Sequence, residues 1–382
     1  MLRFLTGGES HGKCLIGILE GMVANLPLDV EDINKELERR QKGYGRGRRM
    51  EIEKDKVDIL SGVRDGKTTG SPISLLIENK DWENWNEYMD IKKKKEGKER
   101  YIPRPGHADL WGYLKFNYKD IRDVIERASA RETAIRVAIG AICKKFLSQF
   151  NVKIYSRVKK IGKVEDEGNI DDIKKNYEII ENSPVRCLKK EKEMMKEIDR
   201  TREKEDTVGG IFEVIVEGVC PGLGSYVHWD KRLDAKISYI LMSIPGIKGI
   251  EFGLGFEGVS LYGSDFHDEI FYKDKIVRKT NNLGGIEGGI TNGNDIWIKC
   301  FMKPVPTIKK SLSSIDIRDF QEKKYEYERS DVCAVVPAGI IAENLLAFVL
   351  ASEYIEKFGG DCLEDLKNNY TSYIKRIKNF WY

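Results

Sequence analysis

The chain has 382 residues, 65 Lys and Arg against 62 Asp and Glu, and 41% hydrophobic side chains, enough apolar material for a full core and too much for a disordered polyelectrolyte. Collagen-like, mucin-like and disulfide-scaffold classes are excluded, and a net charge of +3 argues against a surface given over wholly to nucleic acid. Composition alternates along the chain instead of dividing into blocks, so one domain over 1–382 is expected, with surface insertions near 80–103 and 158–206.

No run approaches the roughly 20 apolar residues of a membrane helix, and Met1 to His11 turns polar after Leu5. Neither a signal peptide nor an anchor is expected, and the location read is cytoplasmic. Seven cysteines (Cys14, Cys143, Cys187, Cys220, Cys300, Cys333, Cys362) are odd in number, scattered and never spaced C-x-x-C. They read as reduced, buried small apolar residues, with no metal site.

In chain order, the first chemical cluster is Gly7-Gly8-Glu9-Ser10-His11-Gly12, after the short apolar start Leu2 to Leu5. Glycine lets backbone approach a ligand and a Ser-His pair can shuttle a proton, although a capping Ser in a plain turn fits this segment alone as well. Asp29 to Arg40 predicts a helix, with Val30, Ile33 and Leu37 at helical spacing and acids in the first turn. It delivers the chain into an exposed basic loop, Gln41 to Met50, where Arg40, Arg46, Arg48 and Arg49 among three glycines offer forked donors for phosphate or carboxylate. Nucleic acid is the rival ligand, but regularly spaced aromatic platforms are lacking, and a small polyanion is favoured. The charge runs Lys92 to Arg100 and Lys189 to Asp206 read as a solvated loop and a solvated helix face.

Arg104-Pro105-Gly106-His107-Ala108-Asp109 is another tight turn presenting Arg and His together. Of only four histidines, His11, His107, His228 and His267, two lie in glycine-bracketed turns beside anion-binding residues, which favours proton transfer over core packing. Asp120 to Phe150 predicts one long helix, with Ser129 and Arg131 on different faces. Ile211 to Val219 alternates like a half-buried strand, and Asp234 to Ser243 and Pro337 to Phe358 predict further helices. Gly284 to Gly293, then Lys303-Pro304-Val305-Pro306-Thr307, suit backbone passing close to a flat or phosphorylated cofactor, without forming a Walker A loop or a placed GxGxxG. Periodicity alone indicates α+β.

Five blocks, GESHG, RRQKGYGRGRRMEIEKD, RPGHADL with ERASARETAIRVAIGA, MSIPGIKGIEFGLGF, and GGIEGGITNG with KPVPTI, together resemble the chorismate synthase family over nearly the whole chain. The resemblance implies an α+β fold of helices sandwiched between two antiparallel four-stranded sheets, internally duplicated and assembled as a homotetramer. It implies a carbon–oxygen lyase that converts 5-enolpyruvylshikimate 3-phosphate to chorismate by 1,4-anti-elimination of phosphate and a ring proton, using reduced FMN without net redox change. This is the last common step of the shikimate pathway to the aromatic amino acids; NADPH is one candidate reductant.

By the same resemblance, Arg40, Arg46, Arg49, Arg104, Arg131 and Arg329 form the anion pocket, and Ser10 and Ser129 sit near flavin and substrate. His11 protonates or stabilises the departing phosphate, His107 protonates the reduced flavin, and Asp331 takes the flavin N5 proton. FMN contacts are implied at Arg127, Ala128, Ser129, Pro245, Gly246, Gly288, Lys303, Pro304, Val305, Pro306, Thr307 and Arg329. The chain departs from the family at Arg329-Ser330-Asp331-Val332, where Arg-His-Asp-Pro is usual, and at Gly246, where Ala is usual. Two other readings stay open: an RNA-binding protein using the basic loop and the Lys92 to Arg100 run, and a family member that binds flavin without turnover.

Overall fold

A computed structural model describes residues 1–47, 53–92, 95–328 and 330–381, the last three by backbone alone. Arg48, Arg49 and Arg329, expected on the anion pocket or its loop, lie outside these residues.

The first sheet is antiparallel and contains β1 (Arg3–Gly7), β2 (Cys14–Glu20), β3 (Asp58–Ile59) and β4 (Ile73–Glu78), in the spatial order β1-β2-β4-β3. Between β2 and β3 runs α1 (Val30–Gln41). Its start is fixed by a reciprocal cap: Asp29 accepts from the Glu31 N–H at 2.9 Å while Asp32 accepts from the Asp29 N–H at 3.1 Å. Ile33 and Leu37 bury its apolar stripe.

The second sheet contains β5 (Lys153–Ile161), β6 (Val164–Glu165), β7 (Gly210–Glu217), β8 (Ile247–Phe252) and β9 (Ile296–Met302), in the order β8-β9-β7-β5-β6. The two-residue β6 makes this sheet five-stranded rather than four, because the chain folds straight back on β5 at Gly162. Without it, β5-β7-β9-β8 repeats the order β1-β2-β4-β3, and a helix again separates the second and third strands of the set. The duplication is therefore visible in the connectivity. Residues 158–161, expected within an insertion, are sheet; the excursion between β6 and β7 carries Glu191–Glu203, a helix that buries Met194 and Ile198 and exposes its charged face.

The predicted helix from Asp120 to Phe150 is broken. After α2 (Asp109–Phe116) come α3 (Arg122–Arg127), a single tight turn at Ala130–Glu132, and α4 (Thr133–Ser148). The second repeat supplies α5 (Leu233–Met242) and α6 (Val335–Phe358). Contrary to the sequence reading, the 24-residue α6 is long and apolar enough to cross a bilayer, but here it is core. Helix α4 lies on the first sheet, Ile135 and Ile139 against Gly17, and α6 lies on the second, Gly339 against Ser156. The two helices cross in the middle, so one hydrophobic cluster runs from Leu2 to Leu366 through both sheets.

Two further expectations change. The described part of the loop after α1, as far as Gly47, is packed down apart from an exposed Lys42: Tyr44 N–H donates to Pro184 O at 2.7 Å, Val332 N–H to Gly45 O at 2.9 Å, and Gly45 is buried. All seven cysteines are free, and five are buried, but Cys14 and Cys362 are half-buried because each sits at an element end.

The helix crossing gives a test. Gly140 meets α6 so closely that an added Cβ would overlap the Asn344 carbonyl. Glycine to alanine within a helix normally stabilises by about 1 kcal/mol, whereas overpacking costs about 1–3 kcal/mol. Gly140→Ala is expected to lower the unfolding free energy in denaturant titration; a gain would show that the crossing has room.

Candidate active site

Breaking the predicted long helix is what assembles the first cluster. Ser129 is extended (φ −67°, ψ 140°), and its Oγ accepts from the Arg131 N–H at 3.3 Å, capping the next turn. The same Oγ lies 3.1 Å from Ser10 Oγ, and the Ser10 N–H donates to Glu126 O at 3.0 Å. The Glu126 carboxylate accepts from the His11 backbone N–H at 2.7 Å and contacts His11 Nδ1 at 2.9 Å. Next to it, past Ala128 at the end of α3, the Arg127 guanidinium donates to the carbonyls of Gly8 at 3.0 Å and Thr6 at 3.2 Å. These are neutral acceptors, so its charge is not cancelled.

Behind the serines lies a buried ionic group. Arg131 donates to Asp55 at 2.5 Å and to Asn79 Oδ1 at 2.9 Å, with Glu53 at 3.6 Å. Arg40, from the last turn of α1, shares Asp55 at 3.4 Å and donates to Thr133 Oγ1 at 2.9 Å. Burial pushes Arg40 down to about 10; Asp55 opposes this, while Arg46 and Arg131 add repulsion. Arg46 pairs with Asp331 Oδ2 at 3.1 Å, and the Gly47 N–H donates to Asp331 Oδ1 at 2.6 Å. The four described members of the expected anion pocket thus differ. Arg40 and Arg131 are buried and tied to internal carboxylates, and Arg46 and Arg104 are each paired near the surface.

The second cluster is the Arg104 to Asp109 turn. Asp109, at the start of α2, accepts from the Arg104 N–H at 3.0 Å, from Arg104 Nε at 2.8 Å and from His107 Nδ1 at 2.6 Å. Burial alone would raise its pKa; the His107 and Arg104 hydrogen bonds overcome that and hold it well below the usual carboxylate range. Arg104 Nη1 donates to Thr307 Oγ1 at 3.0 Å, Lys303 Nζ to Gly106 O at 2.8 Å, and the Lys303 N–H to Gly246 O at 2.9 Å. This draws Gly246, Lys303 and Thr307 to His107, with Pro306 beside Gly106. Val305 turns its carbonyl away to Thr207. Gly288 stands apart, at the tip of the hairpin Ile286–Thr291, where it lines a surface cavity with Arg232, Phe252 and Phe266.

A charge relay joins the clusters. Glu126 meets Arg122 at 3.4 Å, and Arg122 donates to Glu328 at 2.8 Å; Glu328 in turn feels Arg100 and Arg104. Sequence reasoning missed Asp55, Glu53, Glu126, Asp109 and Asn79 as partners of the expected site residues. The first four lie inside recognised blocks and carry the right chemistry for pairing with arginine; Asn79 carries no such signal.

Two histidines with carboxylate-anchored Nδ1 atoms stand among arginines and lysines in an α+β double sheet, side chains whose chemistry suits an enzyme site. The sequence model of the family described as Chorismate synthase matches residues 2–355. Proteins named chorismate synthase from Alkaliphilus metalliredigens and Aquifex aeolicus are 52% and 51% identical, over 98% and 99% of this chain and 99% of each relative. A solved structure titled "Crystal Structure of Chorismate Synthase" superposes with a TM-score of 0.81 at 43% identity, covering 99% of both chains. The chain belongs to the chorismate synthase family, and it is a lyase.

The Asp109 geometry carries a pH dependence. A carboxylate with a depressed pKa in the folded state stabilises fully above its ordinary pKa of about 4 and loses that contribution as pH falls toward the lower folded value. Asp109→Asn is expected to lower stability near neutrality and to flatten the decline between about pH 5 and about pH 2. Denaturant titrations of both proteins across that range check this, and parallel acid limbs would contradict it.

Proposed function

We propose that the chain converts 5-enolpyruvylshikimate 3-phosphate to chorismate by 1,4-anti-elimination of phosphate and a ring proton, with reduced FMN as cofactor. The observation that carries this reading is the pair His11 and His107: each has Nδ1 against a buried carboxylate, Glu126 or Asp109, leaving Nε2 for the reacting side.

The residues present fit a phosphorylated flavin. Among the described residues Lys303 Nζ donates only to a carbonyl, and burial together with the neighbouring Lys248 ammonium lowers its pKa, the mark of positive charge not yet neutralised. Arg127 likewise meets, among the described residues, only neutral oxygens: the Gly8 and Thr6 carbonyls and the Thr6 hydroxyl. The tip of the Gly288 turn is open, with nothing in reach of an added Cβ. Arg127, Ala128, Ser129, Gly246, Lys303 and Thr307 would hold the cofactor, with Pro245, Gly288, Pro304, Val305, Pro306 and Arg329 in supporting places. When bound there, reduced FMN would supply electron density for breaking the carbon–oxygen bond, with no net oxidation over the turnover.

The chain's own groups do the rest. His11 places Nε2 to donate to the departing phosphate, and Ser10 and Ser129 hold one another beside it. His107 carries a proton at Nε2 into the flavin side of the site. Asp331, oriented by Arg46 and the Gly47 N–H, is the carboxylate base. Arg46, Arg49, Arg104 and Arg329 serve the substrate's phosphate and carboxylates, while Arg40 and Arg131 shape the pocket from behind. A nucleic-acid role is disfavoured because Arg40 and Arg131 are buried on carboxylates and form no track along the surface. The exposed apolar strip Leu5, Ile16 and Ile18 on the first sheet suits the proposed homotetramer, and a cytoplasmic setting suits the free cysteines. NADPH as direct reductant, or an external source of reduced flavin, are both compatible with these groups.

Anaerobic incubation of 5-enolpyruvylshikimate 3-phosphate with dithionite-reduced FMN is expected to give chorismate and phosphate in equal amounts without flavin oxidation; FMN and substrate binding without product would overturn the reading. In the same assay His11→Ala and His107→Ala are each expected to slow turnover by about 10- to 10⁴-fold, the span for acid–base groups. Asp331→Asn, which keeps the shape but not the base, is expected to bind FMN and substrate and lose at least about 10²-fold in turnover. Normal turnover in Asp331→Asn would place the base elsewhere.

A further inference from the structure

His11 is surrounded by groups that the family resemblance does not assign. Glu126, whose side chain is fully buried, accepts from the His11 backbone N–H through Oε2 at 2.7 Å and meets Nδ1 with both oxygens, at 2.9 and 3.0 Å. Trp85 lies on the imidazole face, ring centroids 4.0 Å apart and planes 22° apart. The indole is itself pinned, with the Arg122 guanidinium 5.3 Å and Lys98 Nζ 4.8 Å from its centre. Asp81 Oδ2 is 3.8 Å from Nε2, beyond hydrogen-bond range.

We propose that Glu126 and Trp85 are positioning residues for His11: Glu126 accepts the Nδ1 proton throughout, so that the doubly protonated ring gives its Nε2 proton to the departing phosphate and is left as the neutral Nδ1–H form, while Trp85 fixes the ring plane. The inference rests on the reading of His11 given above. A carboxylate can only accept, so a neutral ring against it must carry its proton on Nδ1. Because Glu126 also holds the His11 backbone, the ring cannot flip without moving past a carboxylate fixed at two points. The indole closes the remaining freedom, torsion about the bond to the ring. Trp85 comes from the 80–103 segment, which reads from sequence as a mere surface insertion; its contact with His11 gives that segment a place in the chemistry.

The test uses the full-length protein labelled with ¹⁵N-histidine, in which the His11 signals are assigned by their loss in His11→Ala. At about pH 9, where an ordinary imidazole is neutral, His11 is expected as the Nδ1–H tautomer. In Glu126→Gln the amide can donate to a bare Nδ1, so the Nε2–H tautomer should become substantially populated; that neutral ring is a far weaker proton donor than the doubly protonated one a carboxylate supports, and kcat should fall by about 10-fold or more with a smaller change in KM. Trp85→Leu is expected to broaden or shift the His11 signals and lower kcat, with Trp85→Phe, which still stacks, restoring most of both. An Nε2–H tautomer in the unmodified protein, or an unchanged tautomer and kcat in Glu126→Gln, would overturn the proposal. Should Glu126→Gln fail to fold, the two Trp85 variants decide, since equal spectra and kcat for Leu and Phe would refute the ring-plane role. If the tautomers behave as stated but His11→Ala turns over normally, the positioning stands and the catalytic reading of His11 falls.

Discussion

One buried carboxylate, Asp55, sits between two buried guanidiniums, and the interior side of the candidate site hangs on it. It meets Arg131 at 2.5 Å and Arg40 at 3.4 Å, so it joins the C-terminal turn of α1 to the turn that precedes α4. Removing one partner of such a group strands a charge away from water at a cost of about 3–5 kcal/mol. The neighbours follow from this. Thr133 accepts from Arg40 while donating to Ala130 O, and Asn79 at the end of β4 accepts from Arg131 while its amide donates to the carbonyls of Glu9 and Gly12. The turn that carries Ser10 and His11 is thus tied through Asn79 to the same ionic group.

What the sequence makes legible is what is local. The helix at Asp29 to Arg40 is written in its cap and its three-and-four spacing, and a strand at 210–217 in its β-branched run, although it is not half-buried as its alternation predicts: Glu213 and Ile215 on one face are as buried as Phe212, Val214 and Val216 on the other. The break at 128–132 is not written there, because Ala, Arg and Glu favour helix and the reason for breaking it, Ser129 reaching Ser10 and Arg131 reaching Asp55, lies 119 and 76 residues away. Packing of the basic loop as far as Gly47 is hidden for the same reason. Glycine and arginine suggest solvent until Asp331, 284 residues beyond Gly47, is seen to cap it.

The two histidines show the same division. Asp109 stands two residues from His107 within one turn, and that pairing could be guessed from spacing; Glu126 stands 115 residues from His11, and that pairing could not. Both end in one arrangement, a buried acid fixing one ring nitrogen so that the other is free, a common solution because the neutral ring otherwise has two equivalent choices of protonation. The family blocks conveyed which residues matter without conveying which of them touch.

The repeated strand order bears on how the chain is made. The first repeat, with its sheet, α1 and α4, is complete by residue 148, and two of its buried arginines, Arg40 and Arg131, find their carboxylate, Asp55, within the same stretch. That pair does not have to wait, charged and uncompensated, for the second repeat to be synthesised, whereas Arg122 gains Glu328 only then. Its apolar surface is less fortunate. The face of α4 around Gly140 is covered by α6, nearly two hundred residues later, so a nascent chain leaving the ribosome carries a hydrophobic half-product, the kind of surface that chaperones hold. Asp331 and Glu328 arrive together with α6, and the affinity for ligands matures only as that surface is closed.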